Sequence, residues 1–515
     1  MKKMLASIIV AGLFLTMSVA ATDEESVDLS AIARIKTEGL SSSQVMKISE
    51  MLTDVNGPRL SNSPGYTRAA NWAKDKMTEW GLEAKLEPWG EFGRGWTVDY
   101  FHIYASEPEF IYIIAYPKAW IAGTNGEVSG SPQIIEFEKP EDLEKYRGKL
   151  KGAIVMTQGV KELDTVFDEE ARRYSDEDLD ARMKYQPRMR GGFDYSRYRA
   201  MRERRRKLSA FFKEEGVGVI LEPSQWDEHN IRLGSGGSYA VDGEDGIPSM
   251  VVSAEHYNRI ARMLRAGKEV KLNIKIDTTF YDEDTQGYNV IADIPGSDPA
   301  LKDEVVIIGG HLDSWHAGTG AVDNASGCAV AMEAARLITE LGLKPRRTIR
   351  VALWGGEEQG LHGSRGYVKK HYADPEKMEL MPEHGKVTAY FNMDNGTGAF
   401  RGIHLQGNEA LRSIFAAWMK PLKDVGMTHI TFRNAGGTDH LAFDAVGIPG
   451  FQFIQDPISY MNRNHHASMD VYDQLVVEDM IKNSVIMAVF AYNAAMRDEM
   501  LPRKPLPEPQ PRRRF

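Results

Sequence analysis

From about Gln286 onward the chain alternates short apolar runs with amphipathic stretches, and no other feature constrains its fold as strongly. The runs "GYNVIADI", "DEVVIIGG", "TIRVALWG", "TAYFNMD" and "PGFQFIQ" have the length and composition of strands. Between several of them, "ASGCAVAMEAARLITEL" and "EALRSIFAAWMKPLKDV" repeat apolar residues at helical spacing. Strands alternating with helices predict an α/β fold with a mostly parallel sheet, because parallel neighbours need a crossover between them. In such a sheet ligands bind beyond the carboxyl ends of the strands.

Those ends carry metal-capable side chains. "HLDSWHAGTGAVDNASG" follows one strand and holds His311, Asp313 and Asp323. "GGEEQG" follows another and holds Glu357 and Glu358; "TAYFNMD" ends in Asp394; "PGFQFIQD" leads to His465 and His466. A single His or Asp after a strand is usually a cap or turn residue. Four strand ends with the same chemistry point instead to a divalent ion. Imidazole and carboxylate without thiolate suit Zn²⁺, and more than four donors suggests two ions, which co-catalytic hydrolases hold ~3.5–4 Å apart. Of two adjacent glutamates, one can bind metal while the other serves as general base; spacing alone does not say which. Asp313 is placed to orient the imidazole of His311 from behind. The glycines allow tight bending and close approach.

The formal net charge of -10 excludes a nucleic-acid binder, and the basic run "RERRRK" is cancelled by the acidic blocks beside it. "MKK", an apolar run and "SVAA" read as a cleavable secretory signal over residues 1–20, too short for the ~20 residues of a spanning helix. The expectation is a secreted or periplasmic protein with no stable membrane insertion and room for a homo-oligomer. Cys328 is the only cysteine, so no internal disulfide forms, and its apolar helix makes it a small buried hydrophobe.

Upstream, "KLKGAIVMT", "GVGVILEP" and "IPSMVVS" are strand-like runs in a region of different character, residues 126–277. A charged piece at about 160–208 reads as a solvated helical pair. The Pro-rich tail, 501–515, is expected to be disordered.

In order, His-x-Asp, an Asp before a small-residue helix start, Glu-Glu, an Asp after a strand and a late His resemble the di-zinc exopeptidase family of secreted aminopeptidases and glutamate carboxypeptidase. "HLDSW", "LGLKPRRTIR" and "LWGGEEQG" look closest to its plasma glutamate carboxypeptidase branch. The resemblance covers roughly Gln286 to Arg497. It implies a three-layer α/β/α zinc exopeptidase fold built from residues 21–125 and 278–500. It also implies a β-rich protease-associated domain inserted at 126–277, with "GKLKGAIVM" as its most typical stretch. By the same resemblance, His311 and Asp394 hold one of two Zn²⁺ ions and Glu358 and a late His hold the other. Asp323 then bridges both, and Glu357 is the general base. "HASMD" fits the family spacing for His466 over His465, with Ala467 where Ser or Thr is usual.

"GGTDHLAF" resembles a substrate-side segment, making Asp439 a substrate-binding candidate. Near these motifs Arg433 and Arg463 are the guanidinium groups that could clamp a terminal carboxylate, while Asp313, Asp394, Asp439 and Asp456 could accept an α-ammonium. His316 and His362 match no ligand position and read as surface or supporting residues. The acidic excess favours peptide substrates with a free amino terminus. A glutamate carboxypeptidase-like enzyme and a non-enzymatic receptor-like ectodomain are the rivals, and retention of the full donor set argues against the second.

Overall fold

The computed structural model describes residues 25–165, 167, 169–184 and 195–509. The expected signal, residues 1–20, lies outside them. Among the described residues no helix is long and apolar enough to cross a membrane.

The main sheet has eight strands, numbered here in chain order: β1 (Glu83–Glu91), β2 (Gln286–Ile294), β3 (Val305–His311), β4 (Thr348–Trp354), β5 (Val387–Asn392), β6 (Phe400–His404), β7 (His429–Thr431) and β8 (Gly450–Gln455). Their spatial order is β1-β2-β4-β3-β5-β8-β6-β7. The four central strands β4, β3, β5 and β8 run parallel, and β2 and β6 flank them antiparallel. All five runs read as strands fall in this sheet.

Alternation along the strands separates two cores, since successive side chains leave opposite faces. Ile308, Val351 and Phe391 pack with the helices Ser326–Glu340 and Val477–Met496. Ile307, Ala352 and Tyr390 face the other way, against Tyr367 and Val368 of the helix His362–His371. The result is three layers, α/β/α. The helix Ser326–Glu340 is buried on nearly every side, so apolar burial, worth ~1.5–3 kcal/mol per large side chain, stabilises it more than propensity does. Its two buried charges, Glu333 and Arg336, satisfy each other at 2.7 Å. Gly327 lets the helix start against the end of β5: a Cβ there would lie 2.2 Å from the Met393 carbonyl.

Two smaller sheets precede β2. One pairs the long strands Gly95–Glu107 and Lys271–Tyr281 antiparallel, with Ile111–Tyr112 and Val128–Gly130 at its edges. The boundary drawn at 277/278 therefore falls inside a strand. The other has five strands, four of them joined in parallel, and packs against the helix Ala254–Arg265. The runs ending "AIVMT", "VILEP" and "SMVVS" supply its centre.

Two expectations are corrected. The first charged helix, Asp176–Met183, is docked rather than solvated: Leu179 is buried, and Thr431 and Arg433 donate to the carbonyls of Arg182, Ala181 and Lys184. The start of the tail is also held. Leu501 is buried, Arg503 donates to the carbonyls of His384 and Val387, and Lys504 pairs with Asp444.

Candidate functional site

Strands β3, β4, β5 and β8 all run toward one edge of the sheet. β3 ends in His311, whose Nδ1 donates to the Asp313 carbonyl at 2.9 Å. That bond leaves Nε2 facing Asp323 Oδ1 at 3.1 Å and Asp394 Oδ1 at 3.4 Å. Asp323 arrives through a loop that turns at Gly320, φ 69°, where a side chain would be strained. Arg59, wholly buried, staples this loop by donating to the carbonyls of Leu312, Thr319 and Gly320. Asp470 holds its far side, accepting from the backbone nitrogens of Val322 and Asp323.

Beyond β4, Glu358 Oε2 lies 2.8 Å from Nε2 of His466, which is 3.6 Å from Asp323 Oδ2. His465 stacks on His466 at 3.7 Å between ring centroids, its own Nε2 4.0 Å from Asp323 Oδ2. Two donor groups emerge, His311–Asp323–Asp394 and Asp323–His465–His466, and they share Asp323. His466 is the better placed of the two late histidines because it also reaches Glu358.

The donor set fits a cation. Asp323 Oδ2 and Glu358 Oε1 are buried with no hydrogen-bond partner among the described residues, an arrangement that costs free energy unless a positive charge faces them. Burial, with neighbouring carboxylates adding to it, pushes Glu357 and Glu358 well above the usual carboxylate range. Burial likewise lowers His465 and His466 to about 4, so both imidazoles are neutral, the form that binds metal. His311 goes the other way: burial opposes its charge, but Asp394, Asp313 and Asp323 together hold it well above its ordinary value.

Several sequence readings change. Asp313 supports His311 through its carbonyl and keeps its Oδ1 3.7 Å from the same Nδ1, while its carboxylate also accepts from the backbone nitrogens of Glu357 (3.1 Å) and Glu358 (3.2 Å) and from Ser61 Oγ (2.9 Å). It therefore sets the Glu-Glu turn. Glu357 is left partly exposed beside the donors. Asp456 is no ammonium acceptor, being buried and paired with Arg173 and Arg401. Arg463 is engaged by Glu170 at 2.6 Å, and Arg433 by backbone carbonyls of the docked helix. Asp439 is fully buried, accepts from Ser364 Oγ and is pushed by burial up to about 7. His316 is buried rather than superficial, its Nε2 on the Pro117 carbonyl, and His362 stacks on Trp89 beside the Tyr239 hydroxyl.

Sequence reasoning missed Arg232, Tyr460 and Ser61. Arg232 lies between the strands Val219–Pro223 and Ser249–Val252 of the five-stranded sheet, and its guanidinium donates to His465 Nδ1 at 3.3 Å and to Gln225 Oε1 at 2.9 Å. Tyr460, also buried, sets its hydroxyl 3.5 Å from Asp394 Oδ1. "HNIRLGSGG" carries no signal that it returns to the far end of the chain; the residue spacing of a motif cannot report a contact across 233 positions.

Residues 289–491 match the model of Peptidase family M28. The chain is 34% identical to Carboxypeptidase Q of Mus musculus over 262 residues, a match spanning about half of each protein (51% and 53%). Its likeness to Carboxypeptidase Q of Homo sapiens is lower, 26%, but covers 92% of this chain and 90% of the relative. Among solved structures, it is similar to a Peptidase M28 precursor from Shewanella amazonensis SB2B, with TM-score 0.66 and 27% identity over 93% of this chain and 98% of the other. A zinc aminopeptidase from Bacillus subtilis shares the fold, with TM-score 0.53 and 17% identity over 88% and 95% of the two chains.

Proposed function

We propose that this chain, whose residues 289–491 match Peptidase family M28, is a two-zinc exopeptidase that hydrolyses short peptides with a free amino terminus, dipeptides included. The observation that carries this reading is Asp323, shared between the donor pairs His311–Asp394 and Glu358–His466 and left with an unsatisfied buried oxygen. In this reading His311 and Asp394 hold one ion, Glu358 and His466 the other, and Asp323 stands between them. When bound, the zinc ions supply Lewis acidity and make water acidic enough to attack at neutral pH.

The chain's own residues do the rest. Glu357 takes the proton of the attacking water at its carboxylate and delivers it to the departing amine. Asp313 holds Glu357 and Glu358 in register through their backbone nitrogens. The Tyr460 hydroxyl, next to Asp394, is positioned to donate to a polarised carbonyl oxygen.

Arg232 bears on which peptide end is read. Neither Arg433 nor Arg463 is free to clamp a carboxylate, whereas Arg232 faces the donor groups. A guanidinium on one side of the site and the carboxylate excess on the other suit a peptide short enough to present both its termini. Arg232, and the likeness to proteins named Carboxypeptidase Q, also favour a second reading, cleavage from the carboxyl end. Three substrates decide: a free dipeptide, its N-acetyl form and its amide. The proposal expects N-acetylation to abolish turnover; rapid cleavage of the N-acetyl peptide gives the carboxypeptidase reading instead.

A further inference from the structure

The segment 456–470, which carries both late histidines, is gripped from two sides by two separate segments of the chain. On one side, residues 230–233 pair with it. Leu233 N donates to the His466 carbonyl at 2.9 Å, Ser468 N to Ile231 O at 2.9 Å, and Asn230 Nδ2 to Arg463 O at 2.7 Å. On the other side runs a strap, residues 169–184. Arg172 N donates to Ile458 O at 3.3 Å, Asn462 Nδ2 to Glu170 O at 2.9 Å, and Glu170 pairs with Arg463. The segment needs holding. Ile458 (φ 42°) and His466 (φ 60°) sit in the left-handed region without being glycine, a conformation that persists only where surroundings impose it.

One residue anchors the strap. Arg173 Nη1 reaches Asp479 Oδ2 at 2.6 Å and Asp456 Oδ2 at 3.1 Å, while Tyr174 N donates to Asp456 Oδ1 at 3.0 Å. Both carboxylates are buried, so removing a cation set against them is costly. Asp456 has Arg401 as well; among the described residues Arg173 is the one cation paired with Asp479. Asp456 opens the segment that ends in His466.

We propose that Arg173 is a positioning residue for the Glu358–His466 metal position: through Asp456 and Asp479 it docks the strap, and the docked strap fixes where His466 stands. This rests on the reading that Glu358 and His466 hold an ion. Coupling of this kind is reciprocal, so the ion at that position tightens the strap in return.

The test uses the full-length zinc-loaded protein. Zinc affinities are measured by competition with a chromophoric chelator for wild type, Arg173→Met and Arg173→Lys. Tryptic cleavage after Arg172 is followed by mass spectrometry in wild type with and without zinc. Loss of an outer support typically weakens metal binding ~10–100-fold. The expected result is such a loss for one of two ions in Arg173→Met and a smaller loss in Arg173→Lys, with the other ion unaffected. Removing zinc from wild type should accelerate cleavage after Arg172 at least about tenfold, the same coupling read in reverse. Both ions bound as tightly as in wild type, or both weakened equally in a variant that keeps the near-UV signature of the fold, overturns the proposal. If Arg173→Met does not fold, the wild-type proteolysis decides alone, and a cleavage rate indifferent to zinc overturns it. A wild type that binds a single ion defeats the underlying two-ion reading instead, so the two failures are distinct.

Discussion

Asp313 offers a graded test of how the Glu357–Glu358 turn is held. Its carboxylate accepts two backbone N–H groups, Glu357 on Oδ1 and Glu358 on Oδ2, and it is completely buried. Asp313→Asn keeps the shape but turns one oxygen into an NH₂ that can only donate. One backbone N–H then loses its acceptor, at ~1–3 kcal/mol for an unsatisfied buried donor. Ser61 adds no further loss, because its hydroxyl also reaches Gln359 Oε1 and can accept from the new amide. Asp313→Ala removes both acceptors and should cost about twice as much, ~2–6 kcal/mol. The same displacement moves Glu357 and Glu358, so turnover at saturating zinc should fall ~10–100-fold in the Asn variant. It should fall further in the Ala variant. Denaturant unfolding gives the stabilities, and steady-state kinetics on a free dipeptide give kcat. Equal effects from Asn and Ala, or wild-type kcat in either, would refute the assignment of Asp313 as the acceptor that sets this turn.

Other outcomes follow from the same geometry. Glu357→Gln should keep its full zinc content yet lose ~10²–10⁴ of turnover, checked by metal analysis and kcat on one sample. Arg232→Met should lower kcat/KM for free dipeptides ~10–100-fold, the worth of a charge-assisted hydrogen bond, and leave dipeptide amides almost unchanged. Burial holds the His316 imidazole at about 4, below its ordinary ~6.5, so the folded protein keeps it neutral. Its folded pKa is depressed, so the unfolded chain takes up the proton first. Stability from this group is intact above pH ~6.5 and is lost as pH falls toward 4, by up to ~3 kcal/mol. Unfolding of His316→Phe across that window should show a shallower acid slope than wild type.

The parts of the site legible in sequence are those in the loops that directly follow a strand end. His311, Asp323, Glu358 and Asp394 each follow an apolar run whose burial makes it a strand, and a parallel sheet brings such ends to one edge. His466 was legible for the same reason, after β8. What stayed hidden depends on contacts between distant segments. The charged piece near residue 170 looks solvated by composition, yet Arg173 finds two buried carboxylates from the end of β8 and the last helix. Arg463 and Asp456 looked free near the motif because their partners, Glu170 and Arg173, lie almost 300 positions away. Hydrophobic periodicity locates strands and helices; it holds no record of which exposed-looking charge will meet which.

The most direct test of the two-ion centre is zinc counted per chain, after dialysis against chelator-treated buffer, in wild type, His466→Ala and His465→Ala. His466 Nε2 lies 2.8 Å from Glu358, whereas His465 stands 4.0 Å from Asp323 and accepts from Arg232 on its other side. The account predicts two zinc ions for wild type, one for His466→Ala and two for His465→Ala. A single ion in wild type, or loss of an ion from His465→Ala with both retained in His466→Ala, contradicts it.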